Sequence, residues 1–336
     1  MRGGLGWLVA VGWFVLACGS EAGPFRLPTP NTALFEPGGE ERFFAPTPGR
    51  TWVAGTFGCT RSEGLQLHEG IDILSVQRDR QGEPIDPVFA AADGTVAYIN
   101  DKPALSNYGR YLVVQHQIDG LEVYTLYAHL RAIAPNLRPG QTVRAGQTIG
   151  TIGRSTNTRT PIAKDRAHLH FEIALMISDR FDAWFRRVEP RERNDHGNFN
   201  GQNLLGLDPA AIFWAQRREG ARFQFRRFVQ EQVPLCTIQV RATDFAWIRR
   251  YAALVEPGTG PAAGVAGYDL TFNFSGVPFR AVPRTAAELR PGGKFVLKEV
   301  NEAEAARCRC QSLLVQRDGR WSLGPRGLRL LDLLTF

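Results

Sequence analysis

The 336-residue chain has little sulfur, with two methionines and five cysteines, and no two cysteines stand in a C-x-x-C pair. A cysteine zinc ribbon is therefore excluded. Helix-turn-helix, zinc-finger and RNP patterns are missing too, so the formal net charge of +7 does not point to nucleic acid; it suits an anionic polymer or surface instead. Internal repeats and low-complexity tracts are absent. With 43% hydrophobic and 22% charged residues the composition is that of a folded soluble protein, long enough for two domains.

The one long apolar run lies at the start, where "MRGGLGWLVAVGWFVLACGS" carries a single charge, Arg2, before Ala17. It is shorter than the roughly 20 residues of a membrane span and reads as an export signal over residues 1–22. "VLAC" (Val15 to Cys18) resembles a lipobox, with cleavage before Cys18 and lipid on that cysteine as the only link to a membrane; "SEA" (Ser20 to Ala22) fits ordinary secretion. The lipoprotein reading is preferred, which makes the chain periplasmic or anchored at the outer membrane, with free secretion as the alternative. Export leaves Cys59, Cys236, Cys308 and Cys310 in an oxidising compartment. A bridge between Cys308 and Cys310 would be strained, so the expectation is a bond from Cys236 to one of them, with Cys59 left open between a bonded and a free buried thiol.

Residues 23–50 are rich in Pro and Gly and read as an extended arm whose Phe25, Leu34, Phe43 and Phe44 pack on the adjoining domain. From Thr51 short β-branched and aromatic runs alternate with turn signals, the pattern of an all-β antiparallel sandwich or barrel over residues 51–220. Residues 174–206 read as a loop excursion within it. Asp208 caps and Pro209 opens a short helix to Arg218. Residues 221–336 read as a small α+β domain of unassigned role.

The chemistry is concentrated in histidines. In "DRAHLHFEI" (Asp165 to Ile173) strand geometry puts His168, His170 and Glu172 on one face and Leu169, Phe171 and Ile173 on the other. In "LHEGID" Asp72 follows His68 by four, and Ile71 and Ile73 favour a strand there. His68, Asp72 and one histidine of the H-x-H pair form the three-ligand set of a catalytic zinc, which keeps its fourth position for water. The HExxH signature is absent. Glu172 shares the histidine face and is placed to orient a ligand imidazole. Outside this set, His116 reads as a sheet-face residue, His196 as part of a mobile loop, Glu69 as solvated and Tyr127 as a packed sheet tyrosine.

Taken together, "LHEGIDI", "VFAAADGTVAYI" as an apolar hairpin, "YGRYLVVQHQIDGLEVYTLYAHL" as paired strands, "RPGQTVRAGQTIGTIG" and "AHLHFE" resemble, in this order, the lysostaphin-like or LytM-type zinc metallopeptidases that cut peptide cross-links of bacterial cell walls. The resemblance covers residues 52–173. It implies one catalytic zinc on His68, Asp72 and His170, and two further catalytic histidines, His129 and His168, one as general base and one stabilising the oxyanion. It also implies a hydrolase, an exported zinc metalloendopeptidase acting on peptidoglycan stem peptides or cross-links. Two alternatives stand beside it: a non-catalytic LytM-type module that binds wall or activates an amidase, and a zinc peptidase acting on exported proteins. Where the family has a short loop before HLHFE, this chain has the longer "STNTRTPIAKDRA", expected to form a cleft wall.

Overall fold

The computed structural model describes residues 23–257, 264–310 and 312–336. The expected export signal and Cys18 lie outside the described residues. Among the described residues eighteen strands run in chain order. The first twelve are β1 (Gly58–Arg61), β2 (Gln66–His68), β3 (Ile71–Leu74), β4 (Pro87–Phe89), β5 (Gly94–Asn100), β6 (Tyr111–Ile118), β7 (Leu121–Ala128), β8 (Ala132–Ile133), β9 (Thr142–Val143), β10 (Thr148–Thr151), β11 (His168–Met176) and β12 (Leu204–Leu207). The last six are β13 (Cys236–Val240), β14 (Val265–Phe272), β15 (Pro278–Thr285), β16 (Phe295–Val300), β17 (Leu314–Arg317) and β18 (Arg320–Leu323).

All strand pairing is antiparallel within these elements. A seven-stranded sheet has the order β12-β11-β7-β6-β5-β9, with β3 also paired to β11. β6 and β7 form the expected hairpin, turned at Asp119 and Gly120, whose positive φ values of 51° and 78° suit a two-residue turn. A three-stranded sheet, β4-β10-β8, packs nearby. Here the expected β4–β5 hairpin fails: β4 pairs with β10, and β5 with β6 and β9. "AAADG" is instead a corner between sheets, held by the Ala91 N–H donating to the Tyr127 hydroxyl (2.8 Å), while Val88 and Val96 both bury their side chains.

The arm packs as its phenylalanines predict. Phe25, Leu34, Phe43 and Phe44 are buried, Phe25 exchanges hydrogen bonds with the Gln216 amide, and Phe44 bridges to Ile73 of β3. The helix Pro209–Glu219 starts as expected, with the Asp208 carboxylate accepting from the Ala210 and Ala211 N–H groups. The excursion is shorter than residues 174–206, because Ala174–Met176 and Leu204–Gly206 pair with each other as the edge of the main sheet.

Beyond it, β15-β14-β13-β16 form a four-stranded sheet, followed by the β17–β18 hairpin and a closing helix Pro325–Leu334, so this part is α+β beside the larger all-β part. One hydrophobic cluster runs through both, from Phe25 to Leu334. The expected cysteine pairing is overturned: the bridge joins Cys59 to Cys310, with Cα atoms 5.3 Å apart, and the free thiols are Cys236 and Cys308. Cys236 is buried in β13, opposite Phe272 and Val300 of the flanking strands, whereas Cys310 is bonded to Cys59 of β1.

His116 lies on β6 as a sheet residue, 1% exposed, its Nδ1 2.8 Å from the Asp93 carbonyl and its Nε2 2.7 Å from the Thr125 hydroxyl. Burial drives its pKa down to about 4. The unfolded chain therefore takes up a proton near pH 6.5 that the native state refuses until about pH 4, and stability falls as pH drops through that window. The full effect is roughly 3 kcal/mol. Denaturant titrations from pH 7 to 4 are expected to show the stability advantage of wild type over His116→Gln shrinking as pH falls; an advantage constant with pH would contradict this.

Candidate metal centre

The site begins with register. His170 on β11 stands directly opposite Asp72 on β3 and, on the other edge, opposite Ala128 at the end of β7. Residues opposite one another in an antiparallel pair share a face, so His170 and Asp72 meet by construction. His68 and Asp72 do not lie in one strand: β2 pairs with β1 and β3 with β11, and Glu69–Gly70 step between them. Glycine is needed at the step, because a Cβ on Gly70 would stand 2.2 Å from the Phe171 carbonyl oxygen.

Three side-chain atoms converge. His68 Nε2 lies 3.1 Å from Asp72 Oδ1 and 3.1 Å from His170 Nδ1, which is 3.0 Å from the same oxygen. Donors on a tetrahedral zinc at 2.0–2.1 Å stand about 3.3 Å apart, so the trio has the spacing and the chemistry of such a site. Each imidazole is held by its far nitrogen: His68 Nδ1 donates to the Thr56 carbonyl (2.8 Å) and His170 Nε2 to Glu172 Oε1 (2.9 Å). In the neutral rings that a metal ion requires, these partners direct lone pairs to His68 Nε2 and His170 Nδ1, which face one another. The Tyr108 hydroxyl also donates to Glu172 Oε1 (2.7 Å), and Glu172 is fully buried.

The other two predicted histidines stand beside the trio. His168 Nδ1 donates to the Arg166 carbonyl (2.7 Å) and His129 Nδ1 to the Ser155 carbonyl (2.9 Å), so each has its Nε2 free of that proton. Their ring centres are 5.0 Å apart, and His168 Nε2 is 3.5 Å from Asp72 Oδ2. His129 follows the last residue of β7 and takes a left-handed φ of 61°. That turn breaks strand alternation, and Tyr127 is left fully buried as a packed sheet residue.

Electrostatics separates these groups. Burial opposes ionisation of Asp72, but the imidazoles of His68, His168 and His170 around it, with hydrogen bonds from His170 and His68, hold its carboxyl well below the usual range. Burial likewise opposes a charge on His170, and its bonds to Asp72 and Glu172 overcome that and push its pKa up. Burial and the neighbouring imidazoles bring His129 down to about 3, and burial lowers His168. The trio is an electronegative seat flanked by two neutral bases.

Several expectations are corrected. Glu69 is half-buried, not solvated, and burial with the nearby Glu172 pushes its carboxyl up. His196 is buried, not in a mobile loop; its Nδ1 is 2.9 Å from the Tyr98 hydroxyl and its Nε2 3.1 Å from the Leu105 carbonyl. The long loop gives the cleft only Asn157, since Lys164 turns away to Gln81 and Glu83 and the Lys164 and Asp165 carbonyls accept from Arg78. The cleft, about 840 Å³, is walled by residues that include Ser106, Asn107, Arg193, Asn200 and Gln202. Sequence reasoning missed Tyr108, quoted only as the start of the paired-strand block, and Arg61, whose guanidinium donates to Asp72 Oδ2. Neither carries a motif of its own; both arrive through tertiary pairing.

Residues 66–180 match Peptidase family M23. No curated protein matches the chain. Among solved structures, a zinc-containing peptidase from Vibrio cholerae is 26% identical over 40% of this chain and 30% of its own, with a TM-score of 0.24. The catalytic domain of lysostaphin from Staphylococcus simulans is 20% identical over 48% of this chain and 87% of its own, TM-score 0.29. The catalytic domain of the prophage-encoded M23 protein EnpA from Enterococcus faecalis is 23% identical over 39% and 85%, TM-score 0.26. The chain thus spans less than a third of the Vibrio cholerae structure it matches.

If Glu172 fixes the His170 tautomer, Glu172→Gln should weaken zinc binding about tenfold or more in a chelator competition, with the far-UV spectrum unchanged. Wild-type affinity in that variant would remove Glu172 from the metal centre.

Proposed function

From a chain that carries a Peptidase family M23 domain of the lysostaphin and LytM type at residues 66–180, we propose an exported zinc endopeptidase that hydrolyses peptide bonds of peptidoglycan stem peptides or cross-links. The observation that carries it is the convergence of His68 Nε2, Asp72 Oδ1 and His170 Nδ1 beside two imidazoles whose Nδ1 protons are already committed. His68, Asp72 and His170 hold the metal, and His129 and His168 are the catalytic pair. Bound there, zinc supplies a water acidified toward a pKa of about 7 and a Lewis-acid contact for the scissile carbonyl.

The remaining work belongs to the chain. With Nδ1 tied to a backbone carbonyl, one imidazole of the pair takes the proton of the attacking water on its bare Nε2, and the other faces the developing oxyanion, to which it donates once it too has gained a proton on Nε2. Their depressed pKa values keep both neutral at pH 7, the state from which a proton can be accepted. Backbone carbonyls fix both rings before substrate arrives, so little reorganisation is left for the reaction itself. The polar cleft accepts an extended peptide. The Cys59–Cys310 bridge supports an oxidising, exported setting, and the basic balance suits an anionic wall.

On a zymogram of purified peptidoglycan, wild type should clear the substrate while His170→Ala and Asp72→Ala lose both clearing and zinc. His129→Ala should keep zinc and lose about a hundredfold or more in turnover. Zinc-loaded wild type that cuts neither wall nor peptide would favour the wall-binding module instead.

A further inference from the structure

We propose that Arg61 is a resident cation of the metal centre, one that holds the trio together and competes with a metal ion for it. Nη2 of Arg61 donates to Asp72 Oδ2 and stands 3.1 Å from His68 Nε2. Because His68 Nδ1 gives its proton to Thr56, Nε2 is an acceptor, and the guanidinium points an N–H at it. That lone pair is the one a metal ion would use. It cannot serve both, so Arg61 in this place and a metal ion on the trio exclude each other.

Electrostatics sharpens the exclusion. The Arg61 side chain is 15% exposed and that of Asp72 6%, so their pairing is little screened by water. Two cations within a few ångströms in such a site repel strongly, whereas either alone neutralises the buried carboxylate. The nearby Arg166 does not take this position: it spends its Nε on the Pro46 carbonyl, 2.7 Å away.

Fold geometry makes the exchange a side-chain movement. The backbone of Arg61 is fixed on one side by its pairing with Gln66 of β2 and on the other by Cys59, two residues upstream and bridged to Cys310. The side chain lines the cleft beside Ser62 and Gln66, so a rotation about its long stem carries the charge out of the trio without disturbing β1. Metal loading then works against the contact it replaces.

This inference rests on the metal-centre reading and is tested apart from activity. Zinc dissociation constants are measured by chelator competition for wild type, Arg61→Gln and Arg61→Lys, with near-UV spectra to confirm packing. Thermal unfolding is followed with and without zinc. Arg61→Gln should bind zinc about ten- to hundredfold tighter than wild type, the range expected when a charge-assisted hydrogen bond no longer has to be broken. Arg61→Lys, which keeps a point charge without the fork, should fall between them. Without zinc, Arg61→Gln should melt below wild type, because Asp72 loses its partner, and zinc should raise its midpoint by more. An affinity in Arg61→Gln equal to or weaker than that of folded wild type overturns the competition while leaving the metal centre intact. Failure of all three proteins to bind zinc overturns both.

Discussion

The register between β11 and β3 is the constraint on which the site depends. It sets His170 opposite Asp72, and it is enforced from the other face, where Leu169, Phe171, Ile173, Ile71 and Ile73 are all fully buried. A slip of one residue would turn these five toward the site and send the polar set into the core. At about 1.5–3 kcal/mol for each large apolar side chain, the cost of that exchange far exceeds anything the polar face could recover. The apolar face of the strand thus holds the site in place, and the arm reinforces it: the Ala45 N–H donates to the Asp72 carbonyl (2.8 Å), covering the outer edge of β3.

The imidazoles of His129, His168 and His170 share one space, yet their pKa values diverge because their partners differ. His129 and His168 are tied to carbonyls, which fix a tautomer but add no net charge, and desolvation wins. His170 lies between two carboxylates, and those contacts outweigh the same desolvation. Glu172 Oε1 accepts from both His170 and Tyr108, while among the described residues Glu172 Oε2 has no hydrogen-bond partner. One acidic residue placed behind a ring separates His170 from its neighbours in a stretch as short as "HLHFE".

How much of this was legible in the sequence depends on range. The alternation in "HLHFEI" and the Asp208-Pro209 helix start are local signals, and both survive in the structure. The all-β texture and the α+β tail were legible for the same reason. Long-range pairings were not: Cys59 meets Cys310 across 251 residues, and "AAADG" reads as a hairpin turn although its two strands belong to different sheets. His129 shows a third kind of failure. A strand period puts it on the face of Tyr127, but its left-handed backbone releases it, and the enrichment of histidine among the few non-glycine residues at positive φ is too weak a signal to place the turn there. Arg61 and Tyr108 reach the centre only because β1 folds onto β2 and the segment before β6 onto β11.

The C-terminal part bears on the site through the same strand. β12 continues the edge of β11 where β3 stops, so the half of β11 that carries His168 and His170 and the half from which the excursion leaves are one element. The excursion leaves and rejoins at this edge, and His196 pins it to Tyr98 and Leu105, which makes the cleft wall an extension of the sheet. Contacts from beyond residue 220 fall on these same strands: the Met176 N–H donates to the Tyr251 hydroxyl (2.8 Å) and the Ser275 hydroxyl to the Gly206 carbonyl (3.1 Å). The disulfide adds a tether to β1, the strand that carries Arg61. A small α+β unit that braces the back of β11 and β12 and holds β1 over the front fixes both sides of the cleft. Its loss would therefore be felt at the candidate metal centre from both sides.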